Sequence, residues 1–295
     1  MRWLLLHIII SLLTCDPGEV VYERFGHTAL RVQDTETGSD VVFNYGLFDF
    51  EQPNFYGRFI QGKTYYQIGA QYTEDFVVSY AREHRRIYSQ VLNLSEEQAT
   101  WVRDSLVRNM APENREYLYN FVFDNCATRP LHLIYPGIEG KGQTTYRELI
   151  ARYVGPYHYT MFGINLLLGS RADMPADSLW LPECVMNRLA ADSIVGEQYI
   201  APFPKPEVHW YEDIRLWLSL FALALLVLTL YDRRRHQLTW GVDLVLVVLY
   251  ILAFLLVGYL TWFSLHPLVG FGPRLLIIPA IHLCLRLFYF VPSRF

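Results

Sequence analysis

Residues 27–50 read HTALRVQDTETGSDVVFNYGLFDF. Two runs rich in β-branched and aromatic residues flank the polar stretch TETGS, the pattern of two antiparallel strands joined by a hairpin. The first run opens on His27, and the second carries Asn44 and Tyr45. Upstream, MRWLLLHIIISLLTC (1–15) has a basic start and an apolar run but no A-x-A cleavage site. Its β-branched half favours a strand over 7–15, with the start of the chain either doubling as an export signal or lacking part of one.

Downstream the pattern turns helical. EDFVVSYAREHRRI (74–87) is amphipathic, and LNLSEEQATWVRDSLVRNM (92–110) has Ser95 followed three residues on by Gln98, a capping box. REYLYNFVFDN (115–125) reads as a strand ended by its Asp-Asn pair. CATRPLHLIY (126–135) then begins a helix, with Asp124 or Asn125 as N-cap and Pro130 near the first turn. TTYRELIARYV (144–154) is another helix. Residues 1–201 are therefore expected to form an α+β domain, with an antiparallel sheet and packed helices. The proline-rich stretch PFPKPEVHWYED (202–213) is its linker.

From Ile214 onward the chain is mostly apolar. IRLWLSLFALALLVLTLY (214–231) and LVLVVLYILAFLLVGYLTWF (244–263) match the roughly 20 residues that cross a bilayer. A third run, 275–291, contains His282 and Arg286. It either spans with Arg286 snorkelling to the interface or lies partly within the bundle. The loop 232–239 carries Arg233, Arg234 and Arg235, whereas 264–272 has no basic side chain except His266. The positive-inside rule places 232–239 in the cytoplasm and residues 1–213 on the outer side. Trp217, Trp240 and Trp262 lie near the span ends, as an aromatic belt requires.

Composition excludes several classes. A net charge of −4 and the absence of a long basic tract argue against a nucleic-acid partner. Cys15, Cys126, Cys184 and Cys284 are too few and too scattered for a disulfide framework or zinc cluster, so no metal or other cofactor is expected. Whether Cys15 and Cys184 pair is open, since no spacing argument decides it.

Cys126 at the start of a helix has a chemical consequence. Backbone N–H groups and the helix dipole stabilise a thiolate there, and the thiolate is the nucleophilic form. The same N–H groups can hold a developing oxyanion. His27, at the head of a strand, is the candidate base and then acid. Asn44, on the neighbouring strand, is the residue type that orients the imidazole in cysteine hydrolases. Asn125, Asp124 and Tyr45 flank this centre as candidate oxyanion or supporting residues; helix cap and strand core are the bland readings of the last two. His266, in the outer loop, is a candidate headgroup contact or a plain interface residue. The aromatics of residues 53–67 either line an acyl groove or fill core, with core the better prior.

The stretches SLLTCDPG (11–18), YERFGHTALRV (22–32), NYGLFDF (44–50) and YLYNFVFDNCATRP (117–130) resemble the Lnb N-terminal periplasmic domain family. GINLLLGSRADMP (163–175) and WFSLHP (262–267) fit it too. The order of His-strand, polar strand and Cys-helix also resembles the permuted papain-like hydrolases, which include lecithin retinol acyltransferase. That resemblance implies transfer of a fatty acyl group from a membrane phospholipid to the α-amine of a lipoprotein's terminal, diacylglyceryl-modified cysteine, on the periplasmic face of the bacterial inner membrane. It maps the nucleophile onto Cys126 and the base onto His27. Two other readings use the same residues differently: a papain-like cell-wall amidase, or a non-enzymatic membrane scaffold with Cys126 inert in the core.

Overall fold

The apolar run near the start forms β1 (Ile8–Cys15), a strand inside the sheet rather than at its edge. The hairpin follows as β2 (His27–Asp34) and β3 (Ser39–Leu47). Asp34 closes its turn by accepting the backbone N–H groups of Glu36 (2.9 Å) and Thr37 (3.1 Å). Next come α1 (Phe55–Ile60), β4 (Tyr65–Tyr72), α2 (Thr73–Arg82), β5 (Ile87–Leu92), α3 (Glu96–Asn109), β6 (Glu116–Leu118) and α4 (Thr128–Ile134). They are followed by α5 (Tyr146–Val154), α6 (His158–Leu167), α7 (Pro182–Ala191) and β7 (Val195–Gln198), then α8 (Ile214–Arg235), α9 (Trp240–Phe263) and α10 (Ile277–Leu287). This computed structural model describes residues 7–140, 142, 144–156, 158–191, 195–198 and 209–290.

The fold is α+β. Seven strands pair antiparallel in the order β6-β4-β3-β2-β1-β5-β7. Because alternate side chains of a strand face opposite sides, β1 serves two cores. Ile8, Ile10 and Leu12 pack with Leu30, Phe43 and Tyr45, under Val102 and Leu106 of α3 and Leu131 of α4. Leu13 and Cys15 face the other way, with Ala29, Val42 and Phe76 of α2. The capping box of α3 forms as its sequence predicts: Gln98 N–H donates to Ser95 Oγ (3.2 Å), and Ser95 N–H to Gln98 Oε1 (2.9 Å).

The strand expected over 115–125 is shorter, ending at Leu118. Asn120 is the cause: its side-chain oxygen accepts the backbone N–H groups of Val122 (3.1 Å) and Phe123 (3.0 Å), which curls the chain into a turn. The aromatics of residues 53–67 divide between core and surface. Phe55 and Tyr66 are buried, whereas Tyr56 and Phe59 are exposed.

The chain forms two compact units. The first holds Met1–Thr144 and Pro175–Lys205, the second Thr145–Met174 and Pro206–Phe295. A sequence boundary at 201 therefore misses an excursion, because 145–174 packs with the C-terminal helices. Main-chain pairing explains why. Leu168 bridges Val269, Gly169 N–H donates to Leu268 O (2.9 Å), and Gly270 N–H donates to Leu167 O (2.9 Å). Glycines permit the approach, since a Cβ on Gly169 would come within 3.0 Å of the Gly270 backbone. Arg147 of α5, 6% exposed, bonds Asp173 (2.6 and 3.0 Å), Asn165 (2.7 Å) and the carbonyls of Leu168 and Gly169.

Among the described residues of the second unit, three helical runs are long and apolar enough to cross a membrane: Ile214–Arg235, Trp240–Phe263 and Pro273–Phe290. Trp217, Trp240 and Trp262 are exposed near their ends. Arg286 and His282 of the third run point towards the other two helices. Arg286 Nη2 lies 2.9 Å from Asp232 and 2.7 Å from Asp243, and His282 Nε2 lies 2.8 Å from Asp243. Of the linker read over 202–213, residues 202–208 lie outside the described residues, as do residues 1–6.

Candidate active site

The first unit brings Cys126, His27 and Asn44 together. Gly26, at φ 76°, turns the chain into β2, so that His27 is the first residue of the strand. Asn44 lies on β3 just before a register shift between Asn44 and Leu47. His27 Nε2 and Asn44 Oδ1 are 2.5 Å apart, and the imidazole also hydrogen-bonds Cys126. With Nε2 on Asn44, Nδ1 is the nitrogen left for the sulfur.

Cys126 sits in a turn two residues ahead of α4. That helix has seven residues, so its dipole contributes less than a long helix would. The turn itself is firmly built. Asn125, 4% exposed, accepts the N–H groups of Ala127 (2.8 Å) and Thr128 (2.9 Å) on Oδ1. Its amide hydrogens go to the carbonyls of Phe121 (2.8 Å) and Trp180 (2.9 Å). Asn125 is thus the residue that organises the helix start, and it has no donor left for an oxyanion. Asp124 pairs with Arg129 (2.5 and 2.8 Å) instead of capping, and that guanidinium lies 3.6 Å above the Tyr117 ring. Tyr45 is core, as alternation along β3 puts it on the face opposite Asn44, and its hydroxyl accepts from Asn109 Nδ2 (2.7 Å). His266 belongs to the second unit, where its backbone N–H donates to Ser264 Oγ (3.1 Å).

Electrostatics distinguishes two cysteines at this end of the sheet. Burial opposes a charge on Cys126, but the His27 imidazolium, its hydrogen bond, and the N–H groups of Thr28 and Cys126 outweigh it and lower the thiol pKa. Burial likewise opposes a charge on His27, and the thiolate, with the bonds to Cys126 and Asn44, outweighs it and raises the imidazole pKa. Each group thus favours the charged form of the other. Cys15 is directly opposite His27 in the β1–β2 ladder, yet burial pushes its thiol far up despite a hydrogen bond from Tyr80. The two thiols are therefore shifted in opposite directions, Cys126 down and Cys15 up. None of the four cysteines is in a disulfide.

Three features escaped sequence reading. Phe25, Phe121 and Trp180 form a ring cluster (4.9–6.0 Å between centroids) that ties the His27 arm to the Cys126 turn. Arg85, largely buried, donates to the Asp16 carbonyl (2.9 Å), and its charge opposes protonation of His27. Gly46, at φ 95°, carries β3 past the site, and a Cβ there would lie 3.6 Å from Cys126 Cβ. The only advance signal was the glycine inside the strand-like NYGLF. Gly46→Ala should cost about 1–2 kcal/mol, read as a lowered unfolding midpoint, because an L side chain is strained at positive φ.

The family model described as the Lnb N-terminal periplasmic domain matches residues 5–152, half of the 295-residue chain. No curated protein and no solved structure matches the chain.

Proposed function

We propose, from the premise that the chain belongs to the Lnb N-terminal periplasmic domain family, that it is a lipoprotein N-acyltransferase of the inner membrane. It is a membrane protein with an Lnb-type periplasmic domain and, among the described residues, three helices able to span a bilayer. The observation that carries this proposal is the Cys126–His27–Asn44 contact, in which His27 lowers the thiol pKa. The same three residue types, in the same roles, serve papain-like cysteine enzymes.

In the first half-reaction the Cys126 thiolate attacks a phospholipid ester carbonyl. The N–H groups of Thr28 and Cys126, which already favour negative charge at the sulfur, are the candidate donors to the oxyanion, where one donor is typically worth about 2.7–4 kcal/mol. The ester C–O bond breaks, and the His27 imidazolium protonates the departing alkoxide to give a lysophospholipid and an acyl thioester. In the second half the lipoprotein α-amine, with an ordinary pKa of about 7.7–8.0, attacks the thioester while neutral. His27 takes its proton, the C–S bond breaks, and the amide leaves with the ion pair restored. Asn44 acts by orienting the ring.

Intact-mass analysis of lipoproteins from cells with and without the protein tests this reading. Gain of one acyl chain in its presence supports it; unchanged lipoprotein masses with altered cell-wall fragments would replace it with an amidase. Asn44→Ala should slow acylation on the order of ten- to a hundredfold, since misplacing a catalytic group by about 1 Å costs about that much. A positioning role also predicts a displaced pH–rate profile, which purely structural damage would not give.

A further inference from the structure

The loops at the catalytic end of the sheet carry a row of aromatic rings that the chemistry above does not use. One loop precedes His27 at the start of β2, and the other follows β3 just past Gly46, the glycine beside Cys126. Tyr22 of the first loop meets Phe48 (5.5 Å between centroids) and Phe50 (6.3 Å) of the second. Phe50 meets Phe55 (5.0 Å), which continues to Tyr56 (5.7 Å) and Phe59 (6.0 Å). The inner rings are covered, but Tyr22 is 58% exposed, Phe50 50%, Tyr56 71% and Phe59 47%. A connected strip of half-exposed large rings on a water-facing domain marks an interaction surface.

We infer that this strip is the surface with which the first unit enters the outer leaflet of its own membrane, so that a phospholipid ester can leave the bilayer next to Cys126. Chain connectivity identifies the occupant. The first unit is joined to the membrane-spanning unit at three places, 144–145, 174–175 and 205–206, so a bilayer is always within reach. Ring chemistry agrees: phenylalanine supplies apolar area, and tyrosine keeps a hydroxyl for the headgroup layer, the mixture found at membrane–water interfaces. The inference rests on the acyl-transfer reading for its purpose, but not for its test.

The test uses the full chain reconstituted in vesicles of phosphatidylethanolamine and phosphatidylglycerol that bear alkyne-tagged acyl chains. Tyr56 and Phe59 are replaced singly by p-benzoylphenylalanine, with Val107, an exposed position on α3 (57%), replaced likewise as control. Irradiation should attach tagged lipid at 56 and 59 at least fivefold above 107. Equal labelling at all three positions, or adducts to protein alone, would overturn the inference. In a second arm, Tyr56→Asp with Phe59→Asp should lower Cys126 acylation from vesicle lipid at least tenfold, while acylation by water-soluble p-nitrophenyl butyrate stays unchanged. Equal loss with both donors would also overturn it. Failure of the unsubstituted protein to take an acyl group from either donor would instead count against the acyl-transfer reading, with the lipid adducts still deciding the surface.

Discussion

Replacing Cys126 with alanine should, under the proposed acyl transfer, leave lipoproteins one acyl chain short, with the rate reduced on the order of 10⁴–10⁶-fold, as when a covalent nucleophile is removed. Cys126→Ser should be nearly as inactive, because His27 and the surrounding N–H groups favour a thiolate and leave a serine hydroxyl protonated. His27→Ala removes both the counter-charge and the proton carrier, so its loss should approach that of the cysteine variant rather than add to it. Intact-mass spectrometry of the lipoproteins reads all three.

Thiol alkylation supplies an independent readout with a defined direction. The Cys126 pKa is lowered by His27, so iodoacetamide should label it at pH values where an ordinary thiol is still protonated. His27→Ala should move that labelling profile to higher pH. Cys15, with its thiol pushed up, should stay unlabelled in the folded protein throughout. For turnover, the reactive pair needs a thiol that has lost its proton beside an imidazole that has kept its own. Activity should fall on the acid side as the thiolate is protonated, and on the alkaline side as His27 loses its proton.

The second large effect is in the membrane bundle. Arg286→Leu should destabilise the full chain by about 3–5 kcal/mol, the usual cost of breaking a buried ion pair from one side. The guanidinium joins Asp232 of α8 to Asp243 of α9 and also donates to Thr229 (3.3 Å), so its removal takes the shared counter-charge from both carboxylates and leaves Asp232 to Thr239 and Asp243 to His282. Unfolding in mixed micelles by increasing detergent denaturant measures the loss. Adding Asp232→Asn and Asp243→Asn to the same chain should recover much of it, because the stranded charges go with the guanidinium. A bundle held mainly by apolar packing would show little change in the single variant.

Much of the architecture can be read from residue order. The alternation in 27–50 shows the β2–β3 hairpin, and Ser95 with Gln98 marks the start of α3, because both signals are local. Helix α6 is harder: HYTMFGINLL is nearly uncharged and has no polar stripe, so no period emerges. The candidate site divides in the same way. His27, Asn44 and Cys126 are visible as residue types at the heads of elements or along them. Their meeting depends on a strand register, on Gly46, and on Asn125 reaching Trp180 across 55 residues, none of which is a local pattern. For the aromatics of 53–67 the sequence leaves groove and core open, because composition cannot tell which side of a short helix faces inward; Phe55 is buried, whereas Tyr56 and Phe59 are exposed.

The return of the chain to the sheet after residue 174 has a practical consequence for anyone handling the protein. A polypeptide trimmed to the family-matched stretch, 5–152, would lack Leu179, Val185 and Leu189, which fill the core beneath β1. It would also lose the Met186 carbonyl that accepts from Gln90 (3.0 Å) and the Trp180 carbonyl that steadies the Cys126 turn. Such a fragment would present a bare hydrophobic face and a slack Cys126 turn. Solubility screens built on it would report on aggregation, and tests of the proposed acyl transfer belong with the whole chain in lipid.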